Sequence, residues 1–182
     1  AEKPLCAVPA TFAPGQHYFG YYTKRQFDSS DRYALGLECD VIGRLQRPDD
    51  RAVIGIIDLH QGKKWIPVVD TTAWNWQMGA MAEWLPGRDR KIIYNDRRKG
   101  KFVSVIRDIE KGEQCELPVP FFEIAPDCRS ALTLNFPRLW DVRPETGYCG
   151  IKDPWYDKAA PDEDGIFRMD LDTGKTTLIV SH

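Results

Sequence analysis

Residues 57–62 read Ile-Asp-Leu-His-Gln-Gly, and the pattern returns at residues 107–112, Arg-Asp-Ile-Glu-Lys-Gly, and at residues 169–174, Met-Asp-Leu-Asp-Thr-Gly. Each copy places an aliphatic residue after an aspartate and a glycine four positions after that aspartate. The three aspartates are separated by 108 − 58 = 50 and 170 − 108 = 62 residues. Spacings of this length are typical of repeat architectures. The chain therefore contains an internal repeat.

Each copy of the pattern predicts a β-hairpin. A run of β-forming residues precedes each turn and a shorter run follows it. The predicted first strands are residues 52–59, 102–109 and 165–171, and the second strands are residues 65–69, 114–119 and 176–180. The glycine can adopt the positive φ of a tight turn, and the aspartate can accept hydrogen bonds from nearby backbone N–H groups. The pattern therefore reflects turn chemistry and not catalysis.

A polar turn that leads into an apolar strand precedes each hairpin, at residues 27–35, 84–94 and 124–132. Each repeat then holds four strands, the pattern of a propeller blade. We therefore expect an all-β protein built of β-propeller-type, four-stranded antiparallel blades. The boundaries are an extended lead over residues 1–16 and a single propeller-like domain over residues 17–182, with blades at about 17–70, 71–120 and 121–182.

Three blades are fewer than the four to eight of closed propellers. We therefore expect this chain to form part of a larger propeller, or else to protect its sheet edges in another way. Open edges pair with other chains, so self-association is expected if the chain is a fragment. A compact β domain unrelated to propellers is the alternative.

Composition excludes some classes of function. The net charge of −2 provides no basic footprint for nucleic acid. There is no apolar run of about 18 residues that would indicate a membrane span. The five cysteines are an odd number and lack C-x-x-C spacing, so we expect mostly buried thiols, with one disulfide possible in an exported protein. Three histidines are too few for a mainly histidine metal site.

The irregular segments carry the candidate binding residues. Connections between the second and third strands of a blade, and between successive blades, emerge on one side of a propeller, so the long loops should lie together. Aromatic rings beside amide and guanidinium groups suit a flat polar ligand. The candidate ligand-binding residues are His17, Tyr21, Tyr22, Lys24, Trp74, Asn75, Trp76, Gln77, Arg138, Asp141 and Arg143.

Several candidates also have a purely structural interpretation. Either Trp74 or Trp76 can pack within a blade, and one of Tyr21 and Tyr22 is expected to face the core. His17 is more typical of a hydrogen-bonded structural histidine than of a base. Known hydrolase, metalloprotease, phosphate-binding and dinucleotide motifs are absent from the sequence, so no catalytic residue is assigned.

Two groups of segments resemble known propeller families. Residues 165–179 and the turn Ala125-Pro126-Asp127 resemble TolB-type blades. Residues 17–22 and 74–80 resemble often exported bacterial propeller proteins that are distantly similar to oligogalacturonate lyases. The resemblance implies further blades, a periplasmic or extracellular location and a divalent metal, which the lyases hold with histidines and a glutamine. His17 and Gln77 are the only counterparts of those ligands here.

These observations predict an exported protein that binds or processes carbohydrate, with acidic, uronate-containing glycans as the favoured ligands. If the protein is an enzyme, we expect a polysaccharide lyase or a protein similar to a glycoside hydrolase. The alternative is a non-catalytic module of the cell envelope whose partner is a protein. Neither hypothesis involves nucleic acid or a membrane span.

Overall fold

The computed structural model describes residues 6–11, 14–88, 90–112 and 114–182. In that part of the chain three four-stranded antiparallel sheets follow one another in sequence order. Sheet 1 contains β1 (His17–Tyr18), β2 (Tyr33–Glu38), β3 (Ala52–Asp58) and β4 (Lys64–Thr71). Sheet 2 contains β5 (Glu83–Trp84), β6 (Lys91–Arg98), β7 (Lys101–Asp108) and β8 (Gln114–Leu117). Sheet 3 contains β9 (Glu123–Ile124), β10 (Ser130–Thr133), β11 (Gly165–Asp170) and β12 (Thr176–Ser181).

The predicted all-β class and the three four-stranded, blade-like sheets are confirmed. Each sheet is a simple meander, because every strand pairs with its neighbours in the sequence. None of the three sheets closes on itself. Closure into a larger propeller stays a prediction.

The three Asp/Gly hairpins have the turn chemistry that their sequences predict. The Oδ1 atoms of Asp58, Asp108 and Asp170 each accept bonds from the backbone N–H groups two and three positions further on, at 2.8 to 3.1 Å. The glycine four positions after each aspartate has φ between 68° and 71°, a region where a side chain would be strained. The repeated pattern therefore specifies the same turn three times.

A second backbone link also recurs in every sheet. The residue after each hairpin aspartate donates its N–H to the carbonyl of an arginine in the preceding turn. The pairs are Leu59 with Arg32 (2.9 Å), Ile109 with Arg90 (3.0 Å) and Leu171 with Arg129 (2.9 Å). The repeat thus extends beyond the hairpins to the turn between the first two strands.

Sheet 2 lies between sheets 1 and 3. Alternation along β6 directs Ile92 and Tyr94 into a core shared with sheet 1, whereas Ile93 enters a core shared with sheet 3. Successive side chains of a strand point to opposite faces, so both faces of β6 are apolar. Burial of this apolar surface is the main contribution to the stability of the layered arrangement.

Two details differ from expectation. Residues 95–101, between the predicted element that ends at residue 94 and the predicted strand that begins at residue 102, continue β6 and β7. The two strands are joined by Lys99 and Gly100, which both have positive φ (49° and 73°). The long connection between β10 and β11 begins with a helix, α1 (Phe136–Val142), that the sequence analysis does not predict. Asn135 caps this helix, since its side chain accepts the N–H of Arg138 at 3.2 Å. The sequence signals for the start of this helix are Asn135 and, two residues later, Pro137.

The N-terminal lead contains no strand or helix over residues 6–11 and 14–16. The rest of the predicted lead, residues 1–5 and 12–13, lies outside the described residues. All five cysteines are free thiols. In the described ranges, no helix has the length and apolar character needed to cross a bilayer.

Candidate functional site

The long loops contact one another, as their predicted positions require. The side chain of Asn75 donates to the carbonyl of Thr146 at 3.1 Å, and the backbone N–H of Gln77 donates to the backbone carbonyl of Glu145 at 3.3 Å. Trp76 Nε1 donates to the carbonyl of Arg44 at 3.0 Å. The connection between sheets 1 and 2 therefore links the loop between β2 and β3 of sheet 1 to the loop between β10 and β11 of sheet 3.

Two predicted ligand-binding residues of this connection are interior residues. Trp74 and Asn75 have no exposed surface. Trp74 Nε1 donates to the carbonyl of Asp50 at 3.0 Å, and Asn75 Oδ1 accepts the N–H of Met78 at 2.6 Å. Trp76 is half-buried, with its ring centroid 5.7 Å from that of Tyr18. These side chains hold the loops together and do not face a ligand.

Arg138 organises the insertion of sheet 3. Its guanidinium donates to the carbonyls of Trp155 and Lys158 at 2.7 and 2.9 Å. It also lies 3.0 Å from the buried carboxylate of Asp153. Arg138 therefore ties α1 to the end of its own loop. Asp141, also predicted as a ligand-binding residue, is exposed and makes no polar side-chain contact with the described residues.

His17 has a structural environment as well. Its Nε2 lies 3.0 Å from a carboxylate oxygen of Glu38, and its ring packs 4.5 Å from that of Trp65. The two strands that carry His17 and Glu38 pair directly at these positions. His17 thus belongs to the surface of sheet 1, apart from Gln77 on the loop side.

Lys24 lies in a buried ion cluster that joins all three sheets. Its Nζ is 3.0 Å from Glu123, 3.4 Å from Glu83 and 2.5 Å from the carbonyl of Phe122. Both Lys24 and Glu83 side chains are essentially enclosed, at 0% and 1% exposure. Burial raises the pKa of Glu83, although the charge of Lys24 opposes this shift. The lysine is therefore committed to the internal carboxylates.

Four predicted residues do come together on the surface. Between β1 and Phe27 the chain leaves sheet 1 in a turn, in which the N–H of Lys24 donates to the carbonyl of Tyr21 at 3.0 Å. In this turn the side chain of Tyr22 is 84% exposed. The hydroxyls of Tyr21 and Tyr22 are 2.9 Å apart, and their rings are 4.2 Å apart. Nearby, Arg143 Nη2 donates to Gln77 Oε1 at 3.4 Å.

Charge links the tyrosine pair to Arg143. The hydrogen bond between the two hydroxyls raises the pKa of Tyr21, and the nearby positive charge of Arg143 opposes the shift. A phenol hydroxyl can both donate and accept hydrogen bonds. The four side chains thus present hydroxyl, amide and guanidinium groups on one surface.

A groove of ≈ 350 Å³ lies at this surface, which we call the tyrosine groove. Its lining residues are Phe19, Gly20, Tyr21, Tyr22, Gln26 and Gln77. Phe19 is 46% exposed and was not predicted, although it lies within the same aromatic stretch of sequence. Gln26 was also missed, because nothing in its local sequence marks it. Its Nε2 is buried and has no hydrogen-bond partner among the described residues.

Comparisons of the chain with models of protein families, with curated proteins and with solved structures found no match in any of the three. The tyrosine groove is therefore interpreted from its own geometry.

The metal site that the lyase resemblance implies does not fit the described residues. Among them, no group of three or more His, Cys, Asp or Glu side chains is arranged to hold a metal ion. His17 is bonded to Glu38, whereas Gln77 contacts Arg143. These two expected ligands therefore have different partners and do not form one donor set.

Proposed function

We propose that this protein binds an acidic carbohydrate in the tyrosine groove. The observation that carries the proposal is the exposed Tyr21–Tyr22 pair beside the guanidinium of Arg143 and the amide of Gln77. Tyr22 is 84% exposed and Phe19 46% exposed, so the groove presents two aromatic rings to solvent.

Each group in the groove has a matching group on such a ligand. Aromatic rings can cover the apolar C–H face of a sugar, while their hydroxyls bond at the rim. The guanidinium of Arg143 can hold a carboxylate in two parallel bonds, because a single 3.4 Å bond to Gln77 is its only side-chain hydrogen bond with the described residues. The amide of Gln77 can bond a sugar hydroxyl. The combination favours uronate-type sugars over neutral ones.

The same geometry favours binding over catalysis. No carboxylate or histidine lines the groove within the described residues. The carboxylates of Glu83 and Glu123 are paired with Lys24. Glycoside hydrolysis ordinarily needs two carboxyl groups placed across the scissile bond. We therefore assign no catalytic residue and propose a binding protein.

The test is calorimetric titration with an oligogalacturonate and with its fully methyl-esterified form, which lacks the carboxylate charges. Binding of the charged form should weaken about tenfold to a hundredfold in Arg143→Gln, since a hydrogen bond between charged groups contributes about 1.5–3 kcal/mol. Tyr22→Ala should weaken binding of both forms by about threefold to tenfold through loss of stacking.

Arg51→Ala is the matched control, because Arg51 is 70% exposed and pairs with Asp70 away from the groove. It should bind like the unmodified protein. If Arg143→Gln and Tyr22→Ala both bind the charged glycan with unchanged affinity, the tyrosine groove is not the site.

A second candidate function is docking of an envelope protein, and β12 supports it. This outer strand of sheet 3 pairs on one side only, and Ile179 and Val180 are 51% and 54% exposed. An open strand edge with apolar side chains is a template for pairing with another chain. Val180→Lys should abolish recovery of a stoichiometric partner from envelope extract while leaving glycan binding intact. Recovery of that partner by the lysine variant would exclude β12 as the docking strand.

Both proposals place the protein in the periplasm or outside the cell, which the resemblance to exported propellers supports. Fractionation of the source cells tests the location, and recovery of the protein only from the cytoplasm would contradict it.

A further inference from the structure

A second cavity lies at the turns between the first two strands of sheets 1 and 2. It has a volume of ≈ 480 Å³, and we call it the arginine cleft. The side chains that define it are Arg25, Phe27, Arg32, Trp84, Arg88 and Arg90. The cleft has no lining residue in common with the tyrosine groove, although Arg25 and Phe27 are the sequence neighbours of Gln26.

The lining of the cleft is biased towards positive charge. Four guanidinium groups line it, and Asp28 is the only carboxylate among its described lining residues. That carboxylate is occupied by its own turn, since Oδ1 accepts the N–H of Tyr33 at 2.7 Å and Oδ2 accepts the hydroxyl of Ser30 at 2.5 Å. Asp28 therefore forms no ion pair with an arginine among the described residues, although its negative charge acts on Arg32.

Two of the arginines keep donors that no described group uses. Arg25 makes a single side-chain contact, at 3.5 Å, with Glu83, and Glu83 also serves Lys24. Arg88 makes a single side-chain contact, at 3.1 Å, with the 70% exposed carboxylate of Asp172. A guanidinium carries five N–H donors. Arg25 and Arg88 can therefore bind an oxyanion without giving up an internal partner.

The other two arginines are more fully committed. Arg32 donates from Nε and Nη2 to the carboxylate of Asp58, at 3.2 and 2.7 Å. Arg90 pairs with Glu110. They supply positive charge at the walls of the cleft while Arg25 and Arg88 supply the open donors.

An aromatic surface completes the cleft. Phe27 is 54% exposed although its backbone forms a bridge with Ala34 in sheet 1. The ring of Trp84 is nearly buried and is held by a 3.0 Å bond from Nε1 to the carbonyl of Gln26. An exposed ring on a fixed backbone next to guanidinium groups provides stacking at low entropic cost.

We propose that the arginine cleft binds a small ligand that carries an oxyanion, either phosphate or carboxylate, on a flat ring. The oxyanion lies between Arg25 and Arg88, and the ring packs on Phe27. Paired guanidinium donors match the oxygens of either anion. This site is independent of the proposed function, because it shares no lining residue with the tyrosine groove.

The test uses the whole chain and four probes: phenyl phosphate, benzoate, inorganic phosphate and phenol. Phenyl phosphate or benzoate should bind at least about tenfold more tightly than either fragment that lacks the ring or the anion. In nuclear magnetic resonance titrations the bound probe should shift the Nε–H signals of Arg25 and Arg88. The signal of Arg51, which lies away from the cleft and pairs with Asp70, should stay in place.

Variants separate the two parts of the site. Arg88→Ala should weaken binding about tenfold or more, and Arg88→Lys should recover part of it. Phe27→Ala should reduce the preference for the ring-bearing probes, because only inorganic phosphate lacks contact with that side chain. The control variant Arg51→Ala and the groove variant Tyr22→Ala should both bind the probes like the unmodified protein.

The stronger of phenyl phosphate and benzoate identifies the anion. The proposal is overturned if the probes leave the Arg25 and Arg88 signals unshifted. It is also overturned if Arg88→Ala and Phe27→Ala bind phenyl phosphate and benzoate as tightly as the unmodified chain does.

Discussion

Asn95 makes the most informative single prediction about stability. This fully buried amide on β6 donates from Nδ2 to the carbonyl of Phe121 at 2.8 Å and to the hydroxyl of Tyr148 at 3.0 Å. Its Oδ1 accepts the N–H of Phe121 at 2.9 Å and the hydroxyl of Ser104 at 3.3 Å. One side chain thus connects sheet 2 to the segment that enters sheet 3 and to the loop that carries Arg143.

Asn95→Ala should lower the free energy of unfolding by about 3–9 kcal/mol. The substitution leaves three buried groups without that partner, namely the N–H and carbonyl of Phe121 and the hydroxyl of Tyr148. Each such group costs about 1–3 kcal/mol. Ser104 adds little, because its hydroxyl still donates to the carbonyl of Val119 at 2.7 Å. The loss is a large part of the roughly 5–15 kcal/mol of a typical domain.

Urea and thermal unfolding, followed by circular dichroism, measure this effect. At about 2–4 °C per kcal/mol for a chain of this size, the midpoint should fall by at least about 6 °C. Gln61→Ala, an exposed amide in a hairpin turn, is the control and should change stability little. Combining Asn95→Ala with Tyr148→Phe should cost less than the sum of the two, since the unpaired hydroxyl is then absent. A loss below about 1 kcal/mol in Asn95→Ala would refute the reasoning.

Three further predictions concern charged and turn residues. Arg44 lowers the pKa of Asp50 to about 2 by donating to its carboxylate. The stability that this bond provides is therefore present above the ordinary pKa of 3.8 and is lost as pH falls through about 2. In urea titrations Asp50→Asn should cost about 1 kcal/mol at pH 7, allowing for solvent screening, and almost nothing near pH 2. Burial raises the pKa of Glu83 above its ordinary 4.5, so the folded state keeps the proton to higher pH and its stability falls as pH rises through the raised value. Relative to the unmodified protein, Glu83→Gln should become more stable as pH rises above 4.5. A difference in unfolding free energy that stays constant with pH would contradict this. Asp108→Ala removes two backbone acceptor contacts in its hairpin turn and should cost about 1 kcal/mol, whereas an unchanged urea midpoint would show that the glycine alone maintains the turn.

The hairpins could be predicted closely because their determinants are local. Asp58 and the N–H groups that it binds lie within three residues of one another, and the glycine that completes the turn follows at once. The strand limits predicted on either side agree with the structure to within a few residues. Helix α1 was missed because seven residues show too little apolar periodicity, and only the Asn135 cap and Pro137 indicated it.

The candidate site was predicted less well, and Tyr21, Tyr22 and Lys24 show why. These residues lie within four positions of the chain, yet Tyr22 is 84% exposed, Tyr21 packs against the core, and Lys24 is enclosed in an ion cluster. Lys24 is enclosed because its partners Glu83 and Glu123 come from strands 59 and 99 residues further along the chain. Local sequence identifies aromatic and charged side chains that can bind a ligand. Which of them remain available for a ligand depends on such distant contacts. Lys24 is enclosed and paired with two carboxylates, so it cannot bind a sugar, whereas the exposed hydroxyl of Tyr22 is bonded to Tyr21.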